Sequence, residues 1–173
     1  MDYQAIDAVV NIWTSEALSH RPDWTDEFFV GKVKGKHDSS GISLEEMLEG
    51  MDAAGIELAF LVAAKSGRVG LPGCYHMPAE VVYRAVDKYP NRFLGLIGID
   101  PYTGMEGVRA LEDAVKNMGF IGAHLYPHWF ELAPNHAKYY PFYSKCIELD
   151  IPIQMQVGQS LIYSKQQRCR SVG

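Results

Sequence analysis

The chain has 173 residues, 47% of them apolar and 21% charged, with a formal net charge of -5. This suits one globular domain and leaves no basic footprint for nucleic acid or an anionic membrane surface, and no apolar run is long enough to span a bilayer. Three cysteines, Cys74, Cys146 and Cys169, are too few and too scattered for a disulfide framework or a zinc ribbon, and the opening "MDYQAIDAVV" lacks the basic region of a secretory signal, so the expectation is a cytoplasmic protein with reduced thiols.

The first predicted strand is residues 3–12, "YQAIDAVVNI". A polar excursion over 14–42 comes next, rich in aromatics (Trp13, at its edge, then Trp24, Phe28 and Phe29) and then in lysines. A connection of that length inside a compact domain is expected to be a lid or binding loop. "SLEEMLEGMDAAG" carries a capping box at Ser43 and Glu46, an apolar stripe through Leu44, Met47, Leu48 and Met51, and Gly55 as its stop. "ELAFLVAA" (57–64) is the second strand, "MPAEVVYRAVDKYP" a helix opening near Pro78 and ending before Pro90. "RFLGLIGID" (92–100) is the third strand, "GMEGVRALEDAVKNMG" the third helix and "GFIGAHLY" (119–126) the fourth strand. Pro141 opens the helix "PFYSKCIELD", which feeds the fifth strand, "IPIQMQVGQS" (151–160).

Strands alternating with helical crossovers fit either an open doubly wound sheet or part of a (β/α)8 barrel. A nucleotide-binding open sheet places a glycine-rich turn after its first strand, where this chain has Asn11, Ile12 and Trp13. "GKVKGKH" (31–37) lacks the spacing and the terminal Ser/Thr of a phosphate loop and reads as a solvated basic stretch.

If the strands belong to a barrel, the functional face lies at their C-terminal ends, and period-2 alternation assigns the inward residues. On the first strand the inward set is Asp7, Val9, Asn11 and Trp13, with Ile6, Ala8, Val10 and Ile12 toward the helices. On the fourth it is Gly122, His124 and Tyr126, with Ile121, Ala123 and Leu125 outward, and on the fifth Gln154 and Gln156 face in. Lys65 lies just past the second strand, and His128 and Trp129 just past the fourth. Asn11, Trp13, Lys65, Tyr126 and Gln156 are the candidate substrate-binding groups. His124 and His128 are the candidate acid–base groups, since an imidazole titrates near neutral pH. Their i, i+4 spacing is not helical because Pro127 interrupts it, and "CYH" (74–76) with His136 is a second histidine group that nothing in the sequence brings together.

Three stretches resemble the amidohydrolase-related family, a branch of the metal-dependent hydrolases that includes aromatic-acid decarboxylases. They are "AIDAVVNIW", "MDAAGIELAFLV" and "GFIGAHLYPHWFELAPNHAKYYPFYSKCIELDIPIQMQVG". The resemblance implies a partial (β/α)8 barrel of about five parallel strands and four helices, a single incomplete domain over 1–173 with a lid-like loop at 14–42. It implies a hydrolase or non-oxidative decarboxylase of a small carboxylated or aromatic compound. The family holds a divalent metal such as zinc through a His-x-His or acid-x-His pair on its first strand and a histidine on its fifth. The matching positions here are Val9, Asn11 and Gln156, none of which suits a transition metal. The expectation is therefore no metal and no other cofactor.

A complete barrel needs about 200 residues or more, so the sequence reads as a truncated one with open sheet edges, which favours a homo-oligomer. The stretch "YSKQQRCRSVG" (163–173), basic and poor in apolar groups, fits truncation. The expected partner is a small-molecule substrate; the alternative is an inactive barrel scaffold that binds a ligand or serves an assembly.

Overall fold

The computed structural model describes residues 5–22, 25, 40–71 and 74–157. Five parallel strands form one sheet in the order β1 (Ala5–Val10), β2 (Ile56–Ala63), β5 (Phe93–Gly98), β6 (Gly122–Leu125), β7 (Ile153–Met155). The crossovers run through α2 (Leu44–Ala53), α3 (Ala79–Lys88), α4 (Gly104–Met118) and α5 (Tyr140–Glu148). This is the partial (β/α)8 barrel expected from the sequence.

Each crossover has a local cause. The Ser43 hydroxyl accepts from the Glu46 N–H at 3.1 Å and the Glu46 carboxylate accepts from the Ser43 N–H at 2.7 Å, so both ends of the capping box close on α2. Gly55, at φ 71°, turns the chain from α2 into β2. Arg92, at the mouth of β5, donates to the Glu57 carbonyl at 2.8 Å and to Asp52 at 2.6 Å, tying the end of α2 and the start of β2 together.

The two faces of the sheet bury different things. Ala59, Leu61 and Ala63 of β2, Phe93 and Ile97 of β5, and Ala123 and Leu125 of β6 share one buried cluster with Met51 of α2, Val82 of α3, Leu111 of α4 and Phe142 of α5. The opposite face carries a second, smaller cluster, Val62, Ala64 and Leu96, flanked by Phe60, Tyr75, Ile121 and Tyr126. Ile121 therefore packs on the inner face, contrary to its expected outward position, because it precedes the regular part of β6. The sheet curls about this inner face, the lumen side of the half-barrel: the side-chain amide of Gln154, on edge strand β7, donates to the Ala8 carbonyl on the opposite edge, β1, at 2.9 Å.

Three features depart from expectation. Residues Ser15–Ser19 of the expected lid form a short helix, α1, started by Thr14, whose hydroxyl accepts from the Ala17 N–H. Most of the remaining lid, 23–24 and 26–39, lies outside the described residues, as does 158–173 with its basic end. A two-stranded antiparallel hairpin, β3 (Lys65–Ser66) with β4 (Tyr75–His76), comes directly after β2. In β1 the register slips between Asp7, opposite Ala59, and Val10, opposite Leu61, so three residues of β1 span two of β2. The slip is a bulge, which breaks strict alternation.

Gly98 closes the C-terminal end of β5 where no side chain fits: a Cβ there meets the Ala63 carbonyl oxygen at 2.3 Å and the Lys65 nitrogen at 2.7 Å. Both are backbone atoms, which cannot swing aside. Gly98→Ala is expected to destabilise the fold by about 1–3 kcal/mol, measured by urea denaturation. Gly50→Ala, in α2 with nothing within 4 Å of the new methyl, is expected to stabilise it by about 0.5–1 kcal/mol.

Candidate functional site

The C-terminal end of β6 builds the most concentrated chemistry on the lumen side. His124 pairs in register with Gly98 on one side and Gln154 on the other, and its ring is 2% exposed. The Tyr126 ring lies 4.2 Å from that of His124, and the His128 ring stands edge-on to Tyr126 at 6.3 Å. Pro127 breaks the strand into a 3-10 turn, Pro127–Trp129, and this turn carries His128 back over the site, 3% exposed. The sequence spacing thus yields a ladder of three rings with the tyrosine in the middle.

Burial governs the electrostatics. Desolvation lowers His124 to about 4 from 6.5 and lowers His128 as well, so both are neutral imidazoles at neutral pH. Desolvation, with Tyr75 adding to it, raises Tyr126 to about 12, so it remains a phenol and a donor. Nδ1 of His124, Nε2 of His128 and Oε1 of Gln154 are buried without a hydrogen-bond partner. The Gln154 amide orientation is fixed chemically, because a backbone carbonyl only accepts and must face the NH2 end; the remaining Oε1 only accepts and calls for a donor.

The other expected site residues divide. The Trp13 ring lies under the Arg21 guanidinium at 4.0 Å, and Arg21 in turn lies 5.7 Å from Tyr75, which packs against both clusters. Asn11 does not join His124: with Asp7, Val10 and Trp13 it lines a hollow of 320 Å³ against Met47 and Met51 of α2. The slip in β1 sets Asp7 and Val10, residues of opposite parity, beside the helix-facing Ala59 and Leu61. Val9 is 51% exposed on β1. Lys65 also leaves the lumen, because Ala64 takes the inward position and alternation sends the next residue outward. It lines a cavity of 290 Å³ between α3 and α4, with Glu80 and Asp113, where burial lowers its pKa. Gln156 is exposed one residue beyond β7, its N–H donating to the Leu125 carbonyl at 3.0 Å. His136 sits apart, capping the turn Ala137–Tyr139 through Nδ1.

Sequence reading missed Arg21 and Asp100, and it named Tyr75 and His76 only within the "CYH" group that nothing in the sequence brought together. Asp100, 2% exposed, accepts from the Tyr102 N–H at 2.9 Å and lies 3.9 Å from His76, whose ring nitrogen meets the Gly67 carbonyl at 3.0 Å. The aspartate's place at the tip of the third strand was the available signal; the hairpin that brings His76 to it left none. Among the described residues no three of His, Cys, Asp and Glu are grouped to hold a metal ion, and no helix is long and apolar enough to cross a membrane.

Residues 6–171 match the sequence model of the amidohydrolase family. The chain belongs to that family. This amidohydrolase is 33% identical over 89 residues to a 2-keto-4-carboxy-3-hexenedioate hydratase from Sphingobium sp., a match spanning 47% of this chain and 26% of that protein. It is 26% identical to the crystal structure of a 4-oxalomesaconate hydratase from Rhodopseudomonas palustris, at a TM-score of 0.56, covering 88% of this chain and 52% of the other. A 5-carboxyvanillate decarboxylase from Novosphingobium aromaticivorans, solved with manganese, superposes at a TM-score of 0.67 with 19% identity, covering 91% and 52% of the two chains. The amidohydrolase chain thus spans about half the length of these solved relatives.

The desolvated His124 makes stability depend on pH with a definite sign. The unfolded chain takes up a proton near 6.5 that the folded chain refuses until about 4. The contribution is complete above 6.5 and is lost as the pH falls toward 4. Denaturation across this window is expected to show a loss on the order of 3 kcal/mol attributable to His124. A His124→Gln variant should show a flatter profile; an identical slope in the two proteins would place the effect elsewhere.

Proposed function

We propose that this amidohydrolase binds a small carboxylated, unsaturated or aromatic acid in the lumen and that, in the complete barrel, His124 moves the proton in a lyase-type addition of water. The observation that carries this reading is His124 itself: a buried, neutral imidazole at the C-terminal end of a barrel strand with a ring nitrogen unpartnered. A base must be unprotonated to act, and desolvation supplies that state at any pH above about 4. Tyr126, held as a phenol, is a donor for a carbonyl or carboxylate oxygen, and His128 frames the opposite side. Water addition is favoured over hydrolysis because the two relatives at 33% and 26% identity are both hydratases of small carboxylates.

The decarboxylase relative holds manganese, but the donor set here does not fit such an ion. Val9 is aliphatic, Asn11 lies in the α2 hollow, and Gln156 offers a neutral amide where an imidazole is wanted. The reading therefore routes no step through a metal. The same substitutions favour a second reading, a barrel that retains its pocket without turnover.

One set of assays separates the two. Turnover of an unsaturated tricarboxylate is expected to persist after chelation with EDTA and to fall about 100-fold or more in His124→Gln, with an acid limb governed by the low imidazole pKa. Binding of the acid without turnover, in native protein and variant alike, would establish the second reading; turnover abolished by EDTA and restored by manganese would overturn the metal-free one.

A further inference from the structure

The cavity between α3 and α4 lies on the helix side of the sheet, apart from the lumen. It has a volume of 290 Å³, with Met77, Ile97, Ala114 and Met118 as its apolar wall, and Lys65 and His76 both line it. These two are direct partners in the antiparallel hairpin of β3 and β4, a position that holds side chains on one face with their Cβ atoms about 5 Å apart. The Nε2 of His76 meets the Gly67 carbonyl at 3.0 Å. A carbonyl only accepts, so Nε2 carries the hydrogen and Nδ1 keeps the lone pair. Lys65 feels the charges of Asp100, Glu80 and Glu106, none of them through a hydrogen bond. Burial outweighs all three and lowers the pKa of the amine, and it lowers that of His76 against the pull of Asp100.

We propose that Lys65 and His76 form a second reactive site, in which the lysine amine condenses with a small neutral aldehyde or ketone. The lone pair of Lys65 Nζ attacks the carbonyl carbon, and the electron pair of the C=O π bond moves to the oxygen. His76 Nδ1 takes a proton from the new C–N nitrogen and passes it to that oxygen, which gives a carbinolamine. The same imidazole nitrogen relays the remaining N–H proton to the hydroxyl, which leaves as water while the C=N bond forms. One amine and one carbonyl thus become one imine and one water, with no oxidant or reductant. An amine held out of water, with no acid in hydrogen-bond contact, is the form that attacks. Glu80 and Asp113, exposed acids in the lining, repel an anionic guest. The ligand class is therefore neutral, unlike the carboxylic acids proposed for the lumen.

Reductive alkylation tests this. The protein is treated with butanal and sodium cyanoborohydride across a pH series, and the modification rate of each lysine is read by peptide mass spectrometry. Lys65 is expected to react about 10-fold or more faster than any exposed lysine at neutral pH, with its half-maximal rate below the ordinary lysine value of 10.5. Glyoxylate, an anionic aldehyde, is expected to react there more slowly than butanal. His76→Gln should slow Lys65 by about 10- to 100-fold and leave the other lysines unchanged, and Lys65→Arg should remove the fast adduct. Circular dichroism shows whether each variant folds, and the wild-type labelling pattern decides the matter if neither does. Labelling no faster at Lys65 than at exposed lysines overturns the site. A fast Lys65 adduct that persists undiminished in folded His76→Gln overturns the role of the imidazole. Glyoxylate outpacing butanal at Lys65 overturns the neutral ligand class.

Discussion

A strand packed between two layers has to commit each residue to one face, and in this molecule that commitment separates stability from chemistry. The outward residues of β2, β5 and β6 are apolar and vanish under the helices. The inward residues of β6 and β7 include His124 and Gln154, where an imidazole and an amide sit beside each other in register. Because the pairing is parallel and unbroken from β2 to β7, the phase set on one strand carries to the next. Everything proposed for the lumen depends on that shared phase.

Where the phase holds, the sequence was readable. The inward positions of Gly122, His124 and Tyr126, and the amide-bearing face of β7, come from counting by twos in segments whose outward residues are plainly apolar. Capping at Ser43 and Glu46 and the glycine stop after α2 were likewise visible as local chemistry. Where the phase slips, counting failed. The bulge between Asp7 and Val10 sets both beside helix-facing residues of β2 although their parity differs, and nothing in "IDAVVN" marks it, since no glycine stands at the slip. Lys65 was misplaced by proximity: it ends the strand, but its parity is that of Ala63. The hairpin of β3 and β4 has strands of two residues, too short to show a periodicity, so the "CYH" group carried no sign of its neighbours, and Arg21 lay within an expected loop.

Burial, more than charge, shapes the chemistry of this amidohydrolase. His124, His128, Tyr126 and Lys65 are all moved toward their neutral forms by desolvation, each in the direction its charge type requires. A site built this way suits proton transfer and hydrogen bonding by neutral groups. The family likeness supplies the barrel, and one barrel hosts many reactions; the residues at the tips of β2, β5 and β6 decide which of them this chain can support.

The amide of Gln154, strung from β7 to the Ala8 carbonyl, ties the two outermost strands to each other like a rung between two rails. Gln154 shares its layer with His124, so the same residue that braces the curl also stands beside the imidazole, and loosening the brace would disturb both.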